Sequence, residues 1–169
     1  QIRSTLEALA EVRRHGFRVG LSGIRHPEIY RSENEAFGLP FRIQIKHNLL
    51  HSDYERYRAF HGELRFITYG INAGGVKLDD GQYHEQSSLR VRGGDPGSVH
   101  PITAPLREAL QEAAEKKDRP APRNFNHCGL CFARHSPDIE GILIGPSRAE
   151  QLTDSIEFYR ALATNDYSD

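Results

Sequence analysis

The sequence predicts an α/β protein that is built from parallel β/α units. Short apolar runs alternate along the chain with amphipathic helical patterns, and parallel neighbouring strands need long connections that a helix usually makes. The 169 residues are enough for one domain with its own core, and we expect a single domain over residues 1–169. This length is well below the roughly 250 residues of a closed eight-fold β/α barrel, so two architectures stay open: a four-stranded open sheet and half of a TIM-type (β/α)8 barrel.

The amino-terminal elements follow from spacing and from residues that favour helix ends. The first helical pattern runs from an expected N-cap at Ser4 to Gly16, where a left-handed residue is favourable. The strand FRVGLSG follows, and then a helix that begins near Pro27. The alternating run FRIQIKHNLL is the second strand, and the pattern predicts a helix from Ser52 over SDYERYRAFHG.

The rest of the chain repeats the strand and helix pattern after one long interruption. LRFITYGINAGG is the third strand, and the polar, Gly-rich residues 76–100 are expected to form a long loop of the kind that covers a ligand. Beyond it we expect two helices, a fourth strand and a closing helix, in ITAPLREALQEAAEKK, RNFNHCGLCFARH, EGILIG and SRAEQLTDSIEFYRAL.

Charge and hydropathy exclude several classes of partner. The formal net charge is -1, with 22 basic and 23 acidic residues spread along the chain, so neither nucleic acid nor a membrane surface is an expected partner. No stretch approaches the roughly 20 apolar residues that span a bilayer, and the polar start is unlike a secretory leader, so we expect a cytoplasmic location. Because the chain opens directly in a helical pattern without Met, we also expect that part of the fold precedes it.

The segment NHCGLCFARH invites a metal or redox interpretation, which its context disfavours. Cys128 and Cys131 are the only cysteines, too few for a disulfide framework, and they occupy apolar positions of an expected helix. A single Cys-x-x-Cys lacks the second pair of ligands that a structural zinc site needs, so we predict a buried helix face and no metal site. Among the nine histidines, only His47 lies where a strand end would face a ligand.

The order of four segments resembles a known enzyme family. LEALAEVRRHGFRVGLSG, IQIKHNLL, FITYGINAGG and ILIGPSRAEQLTDSI follow one another as in the second half of the aldo-keto reductases, and the resemblance covers nearly the whole chain. It implies the carboxyl-terminal half of a β/α barrel, in which a Gly-rich turn and the last helix bind the adenosine end of NADP(H).

The resemblance also implies a set of cofactor-binding residues. Ser22 and Gln44 would hold the nicotinamide carboxamide, although Gly23 stands where the family usually has Asn, and Tyr69 would stack on the nicotinamide ring. Gln151 and Asp154 would meet the adenine and its ribose, and Ser155 stands where many relatives have Asn. Two turns would approach the phosphates, formed by Gly70, Ile71, Asn72 and Ala73 and by Gly145, Pro146, Ser147 and Arg148. A guanidinium pairs well with a 2′-phosphate, so Arg148 favours NADP(H) over NAD(H).

The same resemblance implies that this chain carries no catalytic residue of its own. The family's Tyr, Lys, Asp and His lie on the first four strands, so the oxidoreductase would be complete only with another half, and this chain alone is expected to be inactive. The main hypothesis is therefore the NADP(H)-binding half of an enzyme that reduces a small aldehyde or ketone, or oxidises an alcohol. A second polypeptide or self-association would complete the barrel. The alternatives are a non-catalytic half-barrel with a partner-binding or assembly role, and an open sheet unrelated to reductases.

Overall fold

The architecture is an α/β fold with one mainly parallel sheet. The computed structural model of the chain describes residues 1–79, 83, 85–91, 93–95, 101–116 and 118–167. In chain order its elements are α1 (Ile2–Arg14), β1 (Gly20–Ser22), α2 (Pro27–Asn34), β2 (Arg42–Asn48), β3 (His51–Ser52), a 3-10 segment (Tyr54–Phe60), β4 (Phe66–Tyr69), α3 (Ser88–Val91), α4 (Thr103–Lys116), α5 (Phe125–His135), β5 (Ile139–Ile142) and α6 (Ala149–Thr164). The parallel α/β class predicted from the sequence is therefore confirmed.

The four parallel strands lie side by side in the order of the chain, β1-β2-β4-β5, without a reversal of direction along the sheet. β3 pairs antiparallel with the end of β2 and lies outside this path. Because all four parallel strands point the same way, their carboxyl ends meet at one edge of the sheet, which we call the carboxyl edge.

One sheet face, the core face, packs against helices. Along β2 the buried residues alternate with less buried ones, so Ile43 and Ile45 lie on the core face while their neighbours lie on the other. Leu6 of α1 and Tyr57 and Phe60 of the 3-10 segment join them in one apolar cluster. A second cluster joins α5 and α6 through Ile71, Leu130, Ala133, Phe158 and Leu162.

The opposite face, which we call the polar face, carries mainly polar side chains. The strand register places Ser22, Gln44 and Lys46 here, together with Ile67. Arg42 also lies on this face and forms an ion pair with Glu140 at 2.7 Å. The alternation in β2 explains this arrangement, because Arg42, Gln44 and Lys46 alternate with the buried residues Ile43, Ile45 and His47 of the core face.

Two helix starts differ from the sequence prediction. α1 begins at Ile2, and the main-chain and side-chain groups of Thr5 both donate to the Gln1 carbonyl, so Ser4 lies inside the helix and is not its N-cap. The helix predicted from Ser52 is a 3-10 segment, and Ser52 instead belongs to β3. Gly16 has a φ of 89°, as the predicted helix end requires.

The loop predicted for residues 76–100 contains the short helix α3, and residues 80–82, 84, 92 and 96–100 lie outside the described part. The fourth strand begins at Ile139, one residue before the predicted EGILIG segment. No described helix combines the length and the apolar character that crossing a membrane requires.

Candidate functional site

The carboxyl edge brings together the three residues expected at the nicotinamide. Ser22 is the direct neighbour of Gln44 in the register of β1 and β2, and Tyr69 ends β4 as the neighbour of Lys46. Paired residues of parallel strands project to the same side, so all four side chains lie on the polar face. Ser22 is exposed, and the other three are half-buried.

These four side chains are also unpaired. Within the described part of the chain, none of Ser22, Gln44, Lys46 and Tyr69 makes a side-chain hydrogen bond or an ion pair. A half-buried group that has lost part of its water without gaining a partner is free to bind a ligand. The polar face therefore offers a hydroxyl, an amide, an ammonium and a phenol at one edge of the sheet.

Unlike the side chains of the polar face, the polar side chain of His47 on the core face has hydrogen-bond partners within the protein. Its Nε2 lies 2.8 Å from the Ser136 Oγ, which itself donates to a main-chain carbonyl, so Nε2 carries the proton and donates. Ser52 Oγ then donates to Nδ1 at 2.7 Å. Burial lowers the pKa of His47. The expectation that His47 faces a ligand is wrong, because its position in β2 turns it toward α5.

The turn after β4 contains residues in the left-handed region and is held by a side chain of β2. Gly70 and Ala73 have positive φ values of 69° and 48°, and the Asn48 side chain donates to the Gly70 carbonyl at 2.9 Å. Ile71 is buried against α5, so only the main chain of that residue is available at the edge. Asn72 is exposed.

Glycine at position 129 permits the contact between this turn and α5. A Cβ built on Gly129 would lie 2.4 Å from the Ile71 carbonyl oxygen. The helix and the turn are therefore in direct main-chain contact, and α5 determines where the turn lies.

The turn after β5 is exposed from Gly145 to Arg148 and leads directly into α6. The main-chain N–H and the hydroxyl of Ser147 both donate to Oε1 of Gln151, at 3.0 and 3.2 Å. Gln151, in the first turn of α6, therefore holds the turn in place through its side-chain oxygen, while the N-cap residue Arg148 makes no side-chain capping bond. Pro146 contributes no N–H. Arg148 forms no ion pair with any described residue.

Asp154 connects α6 to the start of α5. Its Oδ2 accepts hydrogen bonds from His127 Nε2 at 2.8 Å and from Asn124 Nδ2 at 3.2 Å, and its Oδ1 accepts from Arg123 at 3.1 Å. The main-chain N–H of Arg123 donates to His127 Nδ1, which fixes the proton on Nε2. The His127 ring is buried and stacks on Phe158, with ring centroids 4.0 Å apart. Burial lowers the pKa of His127, and Asp154 opposes this effect.

The expected contact between Asp154 and the adenosine ribose stays a prediction, and most acceptor sites of the Asp154 carboxylate are already occupied within the protein. Three donors already occupy the carboxylate, two on Oδ2 and one on Oδ1, so the remaining acceptor capacity is on Oδ1. The structure gives Asp154 a positioning role, because it joins the helix that follows the turn at residues 145–148 to α5.

The two cysteines lie on the same helix among apolar residues. Burial raises the pKa of Cys128 to about 12 and that of Cys131 to about 11, so neither is a reactive thiolate at neutral pH. Among the described residues no group of three or more His, Cys, Asp or Glu side chains is arranged to hold a metal ion.

Lys46 was missed by the sequence reasoning. Its signal was present, because a strict two-residue alternation in β2 puts positions 44 and 46 on the same face. Gln44 was selected through resemblance alone, and the residue two positions further on went unremarked.

The sequence-predicted residues therefore divide into three groups. Ser22, Gln44 and Tyr69 share the polar face. The turns at residues 70–73 and 145–148 follow the adjacent strands β4 and β5 and lie at the same edge. Asp154 is directed toward α5. Neither protein-family models nor curated proteins give a match to this chain.

Proposed function

We propose that this chain binds a dinucleotide, NADP(H) in preference to NAD(H), across the carboxyl edge of its sheet. The single observation that carries the proposal is the set of unpaired polar side chains on the polar face, with Ser22 and Gln44 in register and Tyr69 on a nearby strand. In parallel α/β sheets, ligands bind outside the carboxyl ends of the strands.

The nicotinamide end fits the polar face chemically. A carboxamide has two donors and an acceptor, and the Ser22 hydroxyl with the Gln44 amide offers complementary groups of both kinds. The Tyr69 ring gives a flat surface on which the nicotinamide stacks. These three residues select and orient the ring, and none of them is asked to transfer a proton.

The phosphates fit the two turns that follow β4 and β5. Positive φ values at Gly70 and Ala73 keep the first turn compact, and the second precedes α6, whose amino end carries a partial positive charge. Gln151 holds the Ser147 end of the second turn. Arg148 has no carboxylate partner among the described residues and binds the 2′-phosphate.

The fold that this proposal implies is half of a TIM-type barrel. The strand order follows the chain, and exposed apolar side chains precede β1 and follow β5 in sequence. Val12 and Phe17, which precede β1, are 43% and 64% exposed. Beyond β5 the exposed apolar residues are Leu143, Leu152, Ile156 and Tyr159. A second polypeptide or a second copy that adds parallel β/α units at the edges of the sheet would cover them.

The reaction of the completed protein is the reduction of an aldehyde or ketone, or the reverse oxidation of an alcohol, as in an aldo-keto reductase. Bound NADPH supplies a hydride to the carbonyl carbon. The proton that completes the alcohol comes from a donor in the completing half. This chain binds the dinucleotide, orients its nicotinamide and is inactive by itself.

NADPH titration of the purified protein tests the proposal. The reduced nicotinamide can be excited at wavelengths that protein side chains do not absorb, so the fluorescence of NADPH itself reports binding. We expect saturable binding, about tenfold weaker for Arg148→Ala because one charge-assisted contact to the 2′-phosphate is lost. NADH binding should be the same in both proteins.

Arg160→Ala is the matched control, because it removes one arginine from the same exposed helix far from the turn. It should bind NADPH as the parent does. The sample is the parent protein with any polypeptide that co-purifies with it. If this sample does not bind NADPH, the dinucleotide proposal is refuted. That outcome would favour the non-catalytic half-barrel with an assembly role.

A further inference from the structure

The placement of Lys46 points to a second binding element at the same edge. Lys46 lies two residues beyond Gln44 on β2, about 6.6 Å closer to the carboxyl edge, and on the same face. It is the register neighbour of Tyr69. Its stem passes Gly70, with Cγ 3.8 Å from the position that a Cβ on Gly70 would take.

The charge on Lys46 is not balanced within the described part of the chain. Two described carboxylates, one in the sheet and one in the segment after β3, have partners of their own. Glu140 pairs with Arg42 at 2.7 Å, and Asp53 pairs with Arg56 at 2.8 Å. Lys46 itself is half-buried and forms no ion pair with any described residue. A half-buried ammonium without a counter-charge attracts an anion, because it has given up water for no partner.

The neighbours of Lys46 restrict what that anion can be. A carboxylate from a partner helix would need a continuous apolar surface to dock on, and beside Ile67 this face carries Ser22, Gln44 and Arg42. A small anion needs only donors. The Tyr69 hydroxyl and the Gln44 amide supply further donors, and no described hydrogen bond occupies either group.

We propose that Lys46 binds an anionic oxygen group of the ligand at the carboxyl edge, either a carboxylate on the carbonyl substrate or a phosphate of the dinucleotide. The assignment to these two sources rests on the proposed function, whereas the anion site itself rests on the geometry of β2 and β4. If the source is the substrate, the substrate class is oxo acids and not neutral aldehydes or ketones.

The test compares an acid with its neutral ester on the purified protein, together with any polypeptide that co-purifies. Benzoylformate and methyl benzoylformate present the same carbonyl and differ in charge. Saturation-transfer NMR with NADP⁺ present measures their binding. Inorganic phosphate without nucleotide serves as the anion alone, and the broadening of its phosphorus-31 resonance measures its binding. NADPH and nicotinamide mononucleotide titrations report on the phosphates of the cofactor.

Lys46→Met removes the charge and keeps the length of the stem, and Lys46→Arg keeps the charge. Arg58→Met is the matched control, because Arg58 is exposed on the 3-10 segment, which packs on the core face. We expect Lys46→Met to weaken the binding of benzoylformate or of the nucleotide phosphates about tenfold, with Lys46→Arg and Arg58→Met close to the parent.

The outcomes separate the two proposals. A loss confined to benzoylformate assigns the carboxylate, and a loss confined to NADPH and nicotinamide mononucleotide assigns the phosphate. If the parent binds no NADPH but binds phosphate or benzoylformate through Lys46, the anion site stands while the dinucleotide proposal fails. If Lys46→Met binds all four probes and inorganic phosphate as the parent does, the anion site is refuted.

Discussion

The contact between α5 and the turn after β4 gives the sharpest structural prediction. In Gly129→Ala the added Cβ would meet the Ile71 carbonyl oxygen at 2.4 Å, the carbonyl carbon at 2.9 Å and the Ile71 Cβ at 3.1 Å. All three atoms belong to the main chain or are fixed to it, so no side-chain rotation relieves the overlap. Either α5 or the turn must move by about 1 Å to reach an ordinary contact of 3.5–4.0 Å.

Two opposing terms set the expected magnitude. Overpacking of this kind costs about 1–3 kcal/mol, and the upper end applies here because the clash involves main-chain atoms. Alanine is favoured over glycine in a helix interior by about 1 kcal/mol, which offsets part of that cost. We therefore expect Gly129→Ala to lower the free energy of unfolding by about 2 kcal/mol.

Urea unfolding followed by circular dichroism measures this difference. With a slope of about 2 kcal/mol per molar urea, the midpoint should fall by about 1 M. Gly145→Ala is the control, because a Cβ there meets nothing within 4 Å, and its midpoint should stay within the equivalent of about 0.5 kcal/mol. A Gly129→Ala midpoint equal to or above that of the parent would refute the close contact. Weaker NADPH binding by Gly129→Ala is the expected functional consequence, because the same shift moves the turn proposed to approach the phosphates.

Two further predictions concern buried titratable groups. Burial lowers the pKa of His47 and His127 from the ordinary value of 6.5. As the pH falls, the unfolded chain therefore binds protons at a higher pH than the folded protein does. The contribution of these histidines to the free energy of unfolding is present above this value and is lost as the pH falls below it. Urea midpoints at about pH 7.5 and 5.5 should show this loss, and His47→Gln and His127→Gln should each reduce it; a midpoint that does not change with pH in the parent would contradict the reasoning. Because burial raises the pKa of Cys128 and Cys131 to about 12 and about 11, iodoacetamide should label both slowly in the native protein and rapidly in urea. Rapid native labelling of Cys128 would count against its burial.

The strands were predictable because their signal is local. In β2 the alternation of Ile43 and Ile45 with Gln44 and Lys46 fixes both the strand and its two faces. The 3-10 segment was predicted as a helix, although Tyr54, Tyr57 and Phe60 recur every three residues, which is the 3-10 period. The spacing correctly indicated a helical segment, and the type of helix predicted from it was wrong.

The roles of His47 and Asp154 could not be read from the sequence, because both depend on contacts between distant parts of the chain. Nothing near His47 in sequence indicates that Ser136 accepts a hydrogen bond from its Nε2. Asp154 meets His127 only because α5 and α6 pack together, and Gly129 is needed by a turn that is far from it in sequence. Such residues have no local pattern, so resemblance could place them near the site without showing what each one binds.

The polar face and the exposed apolar residues near the edge strands together restrict how the partner proposed above would complete the sheet. A parallel sheet is normally apolar on both faces because helices cover both. Here the second face carries Ser22, Gln44 and Lys46, and docking a helix on it would bury unpaired polar groups at about 1–3 kcal/mol each. The exposed apolar residues Phe17 and Leu143 lie close in sequence to the edge strands, Phe17 before β1 and Leu143 directly after β5. The proposed partner would therefore extend the sheet sideways, because this covers the edges and leaves the polar face open to the proposed ligand.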